Sequence, residues 1–457
     1  MSKNESVADK TDDFSLSRVP DKARTPMWRV LMVQIGGFVC LSQFMLGAAL
    51  GYGMSFRNAV LSTVLGSVIL QFIAFGLGLA GQREGLPTSL LSKWAGFGTL
   101  GSAIVGGAFG ISLIGWFGIQ NSAFAQGIIT LLGGNLNFHL VATITGLLVT
   151  FAVLFGFKGL SWTTNISVPA FLVVIAIATY NMLRGHTLTA LITMAAPGTA
   201  MTINAAITMV TGNFIVGAII MPDITRFTKH PWDVFWVSVI GTLVGELGIN
   251  VIGILMSHAV GSSAIMPIIY KLTGGFGILL VVFSSVKIND LNLYSASLDI
   301  VNFFKQVFHV NFKRSTVTIV AGCLGTFLSV IGVIDHFSGF LTVLGVVFPP
   351  VASIMFVDYW ILKKHRKVLD ASRAEGKLPE EAETFPIVTI VTWVIGALVG
   401  EFVTWGIQSI NVLVVSAVVY WVGMKLFDHG DEKERTATTI IAASRELDGI
   451  SKEEQNK

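Results

Sequence analysis

Twelve apolar runs, each near or above the ~20 residues that one bilayer span needs, alternate with short polar joints along the chain. They cover roughly 28–52, 57–82, 98–131, 138–157, 163–183, 202–225, 232–258, 268–304, 315–334, 337–362, 384–406 and 409–427. The third and eighth are overlong, which predicts tilt or a part outside the bilayer. The polar interruptions inside the runs carry the most information. Lys287, Asn289, Asp290 and Asn292 interrupt the eighth run, which is apolar from Gly275 to Phe283 and again from Leu293 and Tyr294. A central Lys or Asp costs roughly 2.5–3.5 kcal/mol to insert, so such groups face protein, a partner or water. Either the helix ends at Val286 and the polar stretch is a solvated loop, or it is an intramembrane site. The apolar continuation to Phe304 favours the site.

Three more spans carry unusual content. In the first, Gln34, Gly36, Gly37, Ser42, Gln43 and Gly47 place two amides and a hydroxyl among glycines at mid-depth. The glycines alone could serve close helix packing; with Ser42 and Gln43 they predict an unwound segment with free backbone carbonyls. In the sixth, Gly212-Asn213 marks a second candidate break, with Asp223 and Arg226 as an anchoring ion pair at the helix end. Irregular backbone at that depth needs protein or a water-filled cavity around it. If 28–183 and 202–362 are inverted repeats, the two breaks correspond, and corresponding interrupted segments point to a transport site. In the third span Trp116 and Gln120 are four apart and share a helical face. Trp116 could be plain packing, but with Gln120 it offers a flat π surface beside an amide, as a planar heterocycle requires.

Composition narrows the class. Hydrophobic residues make up 53% and charged residues 12%, with a mean hydropathy of +0.73; a soluble domain carries about twice that charge. The chain reads as an all-α polytopic membrane protein. Of its 30 Lys and Arg, 26 fall on one side of the twelve-span plan. Arg57, Arg184 and Lys271 fall on the other, and Lys287 lies within the membrane. By the positive-inside rule both termini are cytoplasmic, which makes 1–27 and 428–457 cytosolic tails and 384–427 an added helix pair. Cys40 and Cys323 sit in apolar runs and imply no disulfide. The eight His show no metal-ligand spacing, and no phosphate-binding glycine loop is present, so no cofactor, metal site or ATP-driven step is expected. A net charge of +3 is too small to imply nucleic acid. Glu246 in the seventh run is either a partner for Lys287 or a neutral packing residue.

These segments together resemble the first nucleobase–cation symport family. The likeness rests on Gly115-Trp-Phe-Gly-x-Gln120, on Gly212-Asn-Phe-Ile followed by Asp223-x-x-Arg-Phe, and on Asn289-Asp-Leu-Asn-Leu-Tyr-Ser295, in order across 25–427. The resemblance implies a leucine-transporter-like fold: twelve helices, a 5+5 inverted repeat and two C-terminal helices. It implies alternating-access import of a planar base across the inner (plasma) membrane, cytosine-like from the phenyl at Phe214. Trp116 would stack on one face of the base and Phe214 approach the other. Gln120 with Asn292 or Asn289, and Ser42 with Gln43, would bond its edge. Allantoin, a hydantoin or a hydroxymethylpyrimidine are the alternative substrates. A channel would need polar residues at every turn of some span, and an intramembrane enzyme would need an activated nucleophile; the sequence has neither.

One departure bears on coupling. Sodium-coupled relatives use hydroxyl residues of the eighth helix, and here Lys287 takes one such position, beside Ser284 and Ser285. Like charges at about 4 Å and an effective dielectric near 20 repel by roughly 4 kcal/mol. The expectation is a proton-coupled or Na⁺-independent permease in which Ser284, Lys287, Asp290 and Glu246 form the coupling group, Lys287 pairing with Asp290 or Glu246.

Overall fold

The computed structural model describes Phe14, residues 17–154 and 161–379, Thr384 and residues 386–427; the side chains of 161–168, Leu280, Phe283, Ser284 and Lys287 lie outside that description, as does the tail at 428–457. The elements are helical throughout: α1 (Met27–Phe38), α2 (Leu41–Gly53), α3 (Phe56–Glu84), α4 (Gly98–Leu131), α5 (Phe138–Leu154) and α6 (Ser161–Gly185). There follow α7 (Ile203–Ile219), α8 (Met221–Thr225), α9 (Pro231–Val260), α10 (Ile265–Val307), α11 (Arg314–Val330), α12 (Val333–Leu362), α13 (Arg366–Ala374), α14 (Ile387–Phe402) and α15 (Gln408–Phe427). Five of these are long and apolar enough to cross a bilayer, and α1 with α2 make a sixth, bent span. Six shorter apolar helices agree in order and place with the remaining runs read from the sequence.

Small residues set the helix register, because a membrane bundle without a hydrophobic drive packs by close backbone approach. A Cβ on Gly47 or Gly51 would run into the backbone of Asn250 or Ile254, so α2 and α9 lie against each other with parallel register. Gly107 admits Phe303, Gly110 admits Ile300, and Gly127 admits Val282, which fixes α4 antiparallel to α10. Gly146 and Gly322 seat Thr326 and Thr150 between α5 and α11.

The polar stretch of the eighth span is helical: α10 runs without interruption through 287–292, and the loop alternative fails. The excess length of that run is explained by a kink at Gly274 (φ 65°). The first span is broken as expected. Val39 and Cys40 leave helical geometry, and α1 meets α2 at 52°. The expected break at Gly212-Asn213 is absent, since α7 is regular from Ile203 to Ile219 and the chain turns only at Ile220. Gly212 is there for another reason: its missing Cβ leaves room for the Leu341 carbonyl and the Gly345 amide of α12. The two breaks therefore differ, one at mid-span and one a single turn from the helix end. Asp223 and Arg226 anchor that end. Asp223 accepts from the Thr88 amide at 2.7 Å, and Arg226 Nε donates to the Asp223 carbonyl at 3.2 Å.

Candidate functional site

At the α1–α2 break, Gly36 and Gly37 border open space where a Cβ would meet nothing within 4 Å. Close packing is therefore not what selects them. Ser42 is engaged locally, its Oγ 3.1 Å from Cys40 Sγ. Gln43, in the first turn of α2, is fully buried, yet neither its Oε1 nor its Nε2 has a partner among the described residues. A buried amide left unpaired costs about 1–3 kcal/mol, so a chain that keeps one there gains something else from it.

The α4 wall repeats the pattern. Trp116 stands edge-on to Phe340 at 5.2 Å and to Phe337 at 6.2 Å, both from α12. One turn on, Gln120 is buried with its Oε1 unpartnered. Asn289 has a different task. With its amide oriented by the hydrogen-bond network, it donates to the Phe117 carbonyl at 3.2 Å and accepts from the Asn121 amide at 3.1 Å. It ties α10 to α4, with one N–H and one oxygen lone pair beyond those two bonds. Asn292 lies one turn on and is half-buried. Asn121 is itself committed, its Nδ2 donating to the Ala142 carbonyl and to Ser329 Oγ.

Phe214 on α7 does not face the Trp116 ring. It stacks on Phe38 with ring centroids 3.9 Å apart and planes at 27°. The aromatic expected opposite Trp116 is thus laid against the residue that ends α1. Next to it, Asn213 is buried with both amide atoms unpartnered.

A second polar line runs along α9. Ser238, Thr242, Glu246 and Asn250 are spaced by four. Ser238 Oγ accepts from Gln71 Nε2 of α3 at 2.6 Å, and Thr242 Oγ1 donates to Gln71 Oε1 at 3.2 Å. Thr242–Gly248 winds as a π-helix, a form that recurs at functional sites. Gly241 and Gly245 in and beside that turn admit Gln34 and Phe38 of α1, so the line lies against the half-helix that precedes the break. Asn250 is wholly buried with both amide atoms unpartnered among the described residues, and Glu246 is wholly buried with only the Ser67 hydroxyl of α3 bearing on its carboxyl, outside ordinary hydrogen-bond geometry.

The coupling residues divide. Asp290 is buried with Oδ2 unpartnered, and among the described residues the charge that bears on it is Arg314, whose guanidinium lies 4.4 Å over the Tyr294 ring. Ser285 Oγ is committed to its own helix, donating to the Val281 carbonyl at 3.0 Å. Ser284 and Lys287 have side chains outside the described residues. Among the described residues no cluster of His, Cys, Asp and Glu could hold a metal.

Sequence reasoning missed Phe38, Phe340 and Asn250. Asn250 was within reach, four residues after Glu246 on the same run. Nothing local marks Phe38 or Phe340, because their roles depend on rings some 175 and 225 residues away.

A sequence family described as permease for cytosine/purines, uracil, thiamine, allantoin matches residues 18–423. The cytosine permease of Escherichia coli (strain K12) is 24% identical over 412 residues, which is 90% of this chain and 93% of that one. The inward-facing structure of Mhp1 superposes with a TM-score of 0.75 at 19% identity, over 90% of this chain and 92% of the other. The closed structure of Mhp1, a nucleobase-cation-symport-1 family transporter with bromovinylhydantoin bound, gives 0.68 at 19% identity over 90% and 95%. The architecture is the leucine-transporter-like one that the family resemblance implies. The chain belongs to the family of permeases for cytosine/purines, uracil, thiamine and allantoin, and is a multi-pass membrane transporter and not an enzyme.

Proposed function

We propose that this permease imports a cytosine-like base by alternating access, with both termini in the cytoplasm of a cell whose plasma (inner) membrane holds it. The observation that carries the reading is the pair Gln43 and Gln120. Both are buried amides with open hydrogen-bonding atoms, one beside a helix break and one a turn from Trp116. A base needs an aromatic face and in-plane amide partners, and these residues offer both. Trp116 stacks on the ring, Gln43 and Gln120 bond its edge with Asn292 and Ser42, and Phe214 closes the far side once it leaves Phe38. Asn289 acts from behind by fixing α10 to α4.

Coupling is assigned to protons and not to Na⁺. Lys287 occupies the sodium-site position in sequence, and the Ser285 hydroxyl is spoken for. A fully buried carboxyl such as Glu246 is stable only when neutral or when a cation reaches it, and exchange between those states is what a coupled carrier needs. Lys287 and Asp290 complete the coupling group. The test is uptake of radiolabelled cytosine into proteoliposomes in Na⁺-free buffer. The expected result is uptake without Na⁺ that rises as external pH falls. Uptake that requires Na⁺ and ignores pH overturns the coupling, and no uptake of any base overturns the substrate.

A further inference from the structure

A groove of ≈ 600 Å³ opens between α4, α10 and α11, lined by Ile111, Ile114, Phe303, Phe304, Val320 and Leu324 among others. Its volume is within the ~300–1,000 Å³ of ligand sites, and Thr316 is its one polar lining residue. The groove lies away from Trp116 and Gln120 and takes no part in the base site. Ile111 is 70% exposed, Val320 54% and Leu324 51%, so its outer wall faces the surrounding bilayer.

One end of the groove has a distinct chemistry. Phe303, Phe304, Phe308 and Phe312 pack together there, with the Phe304 and Phe312 rings 5.2 Å apart and edge-on. The cluster sits where α10 ends at Val307 and α11 begins at Arg314, at the end of a membrane helix pair. Lys305 follows Phe304 and Lys313 follows Phe312, and both are exposed. Lys305 in the last turn of α10 and Lys313 at the N-cap of α11 thus flank the turn at this end of the apolar channel. An apolar solute would need no cations, and a water-soluble anion would need no channel. A molecule with an anionic head and a hydrocarbon tail satisfies both ends.

We propose that this groove is a binding site for an anionic glycerophospholipid, one acyl chain lying between α4, α10 and α11 and the phosphate held by Lys305 and Lys313. Arg314 is not part of the head-group site, because it turns back over Tyr294.

The test is native mass spectrometry of the delipidated full chain with phosphatidylglycerol and phosphatidylcholine of identical acyl chains. The wild type is expected to retain one phosphatidylglycerol at least fivefold more tightly. Each Lys contributes about a fivefold preference near a membrane surface, so Lys305→Gln with Lys313→Gln should bring the two lipids level. Val320→Trp fills the groove from its lipid side and should weaken retention of both lipids, with melting temperature as the check on folding. Should that variant not fold, Ile111→Trp on the opposite wall replaces it. Equal retention of the two lipids by the wild type, an unchanged preference in the double Lys variant, full retention in the filled variant, or a groove covered by a second copy of the chain would each overturn the proposal.

Discussion

Two glutamates, both buried to about 1% or less, live in opposite circumstances. Glu84 ends α3 at the basic end of the bundle. It accepts from Arg18 Nη1 at 3.0 Å, Arg373 Nη1 at 2.8 Å and Tyr359 OH at 2.6 Å. The donors around it are occupied in turn. Arg18 also reaches the Lys377 carbonyl and Ser372 Oγ, both at 2.8 Å, and Arg373 reaches Asp370 at 2.6 Å. Glu246 in α9 has only the Ser67 hydroxyl bearing on it, outside ordinary hydrogen-bond geometry, and Gln43, Asn213 and Asn250 in the bundle centre have both amide atoms unpartnered among the described residues. The contrast separates two uses of buried polarity. Where the architecture needs a polar group, as in tying the segment before α1 to α3 and α13, the fold satisfies it. Where the atoms are left open at the meeting of α1, α2, α4, α7 and α9, the partner we propose is cargo.

Substitutions can break or sharpen that contrast. Glu84→Ala leaves two arginines without their buried acceptor and should cost about 3–5 kcal/mol of stability, read as a large fall in melting temperature. A loss below about 1 kcal/mol would mean the cluster is ornamental. Trp116→Ala should cost about 1–3 kcal/mol of base binding by loss of stacking, measured by calorimetry on folded protein. Glu246→Gln keeps the size of the side chain and an oxygen that can still accept from the Ser67 hydroxyl, so stability should change by less than about 1 kcal/mol. It should flatten the pH profile of uptake, whereas a stability loss like that of Glu84→Ala would place the two glutamates in one class. The smallest effect is at Asp370. Burial works against its ionisation, but Arg373, by hydrogen bond and charge, and then Arg83 hold its carboxyl below the usual carboxylate range. Its folded pKa is depressed, so its contribution is present above the ordinary value of about 3.9 and is lost as pH falls below it. With a side chain 40% exposed, solvent screening reduces that to a few tenths of a kcal/mol. Asp370→Asn should remove that part of the acid dependence of melting.

Much of this was legible in the chain, for identifiable reasons. The helical passage through 287–292 followed from the apolar residues on both sides, and the first break from Ser42 and Gln43 beside Gly36 and Gly37. These are local signals. Gly212 misled because a glycine that ends a helix and one that admits a neighbour look alike in sequence; the difference lies in Leu341, about 130 residues on. The Phe38–Phe214 stack and the Arg18–Glu84–Arg373 cluster were invisible for the same reason, since each joins segments that only the folded bundle brings together. The π-turn at 242–248 had no signal beyond its glycines. Asn289 enters as a ligand only through the family resemblance, and its bonds to the backbone of α4 had no signal in the sequence.

The central claim is that the open amides in the bundle centre are kept for a base. Thermal melting of Gln43→Leu with Gln120→Leu, with and without cytosine, tests it most directly. The account predicts an apo protein at least as stable as the wild type, because the unpaired Gln43 amide and the unpaired Gln120 oxygen are gone, and loss of the cytosine-induced rise in melting temperature. An apo protein that melts several degrees lower while its cytosine shift persists would contradict it.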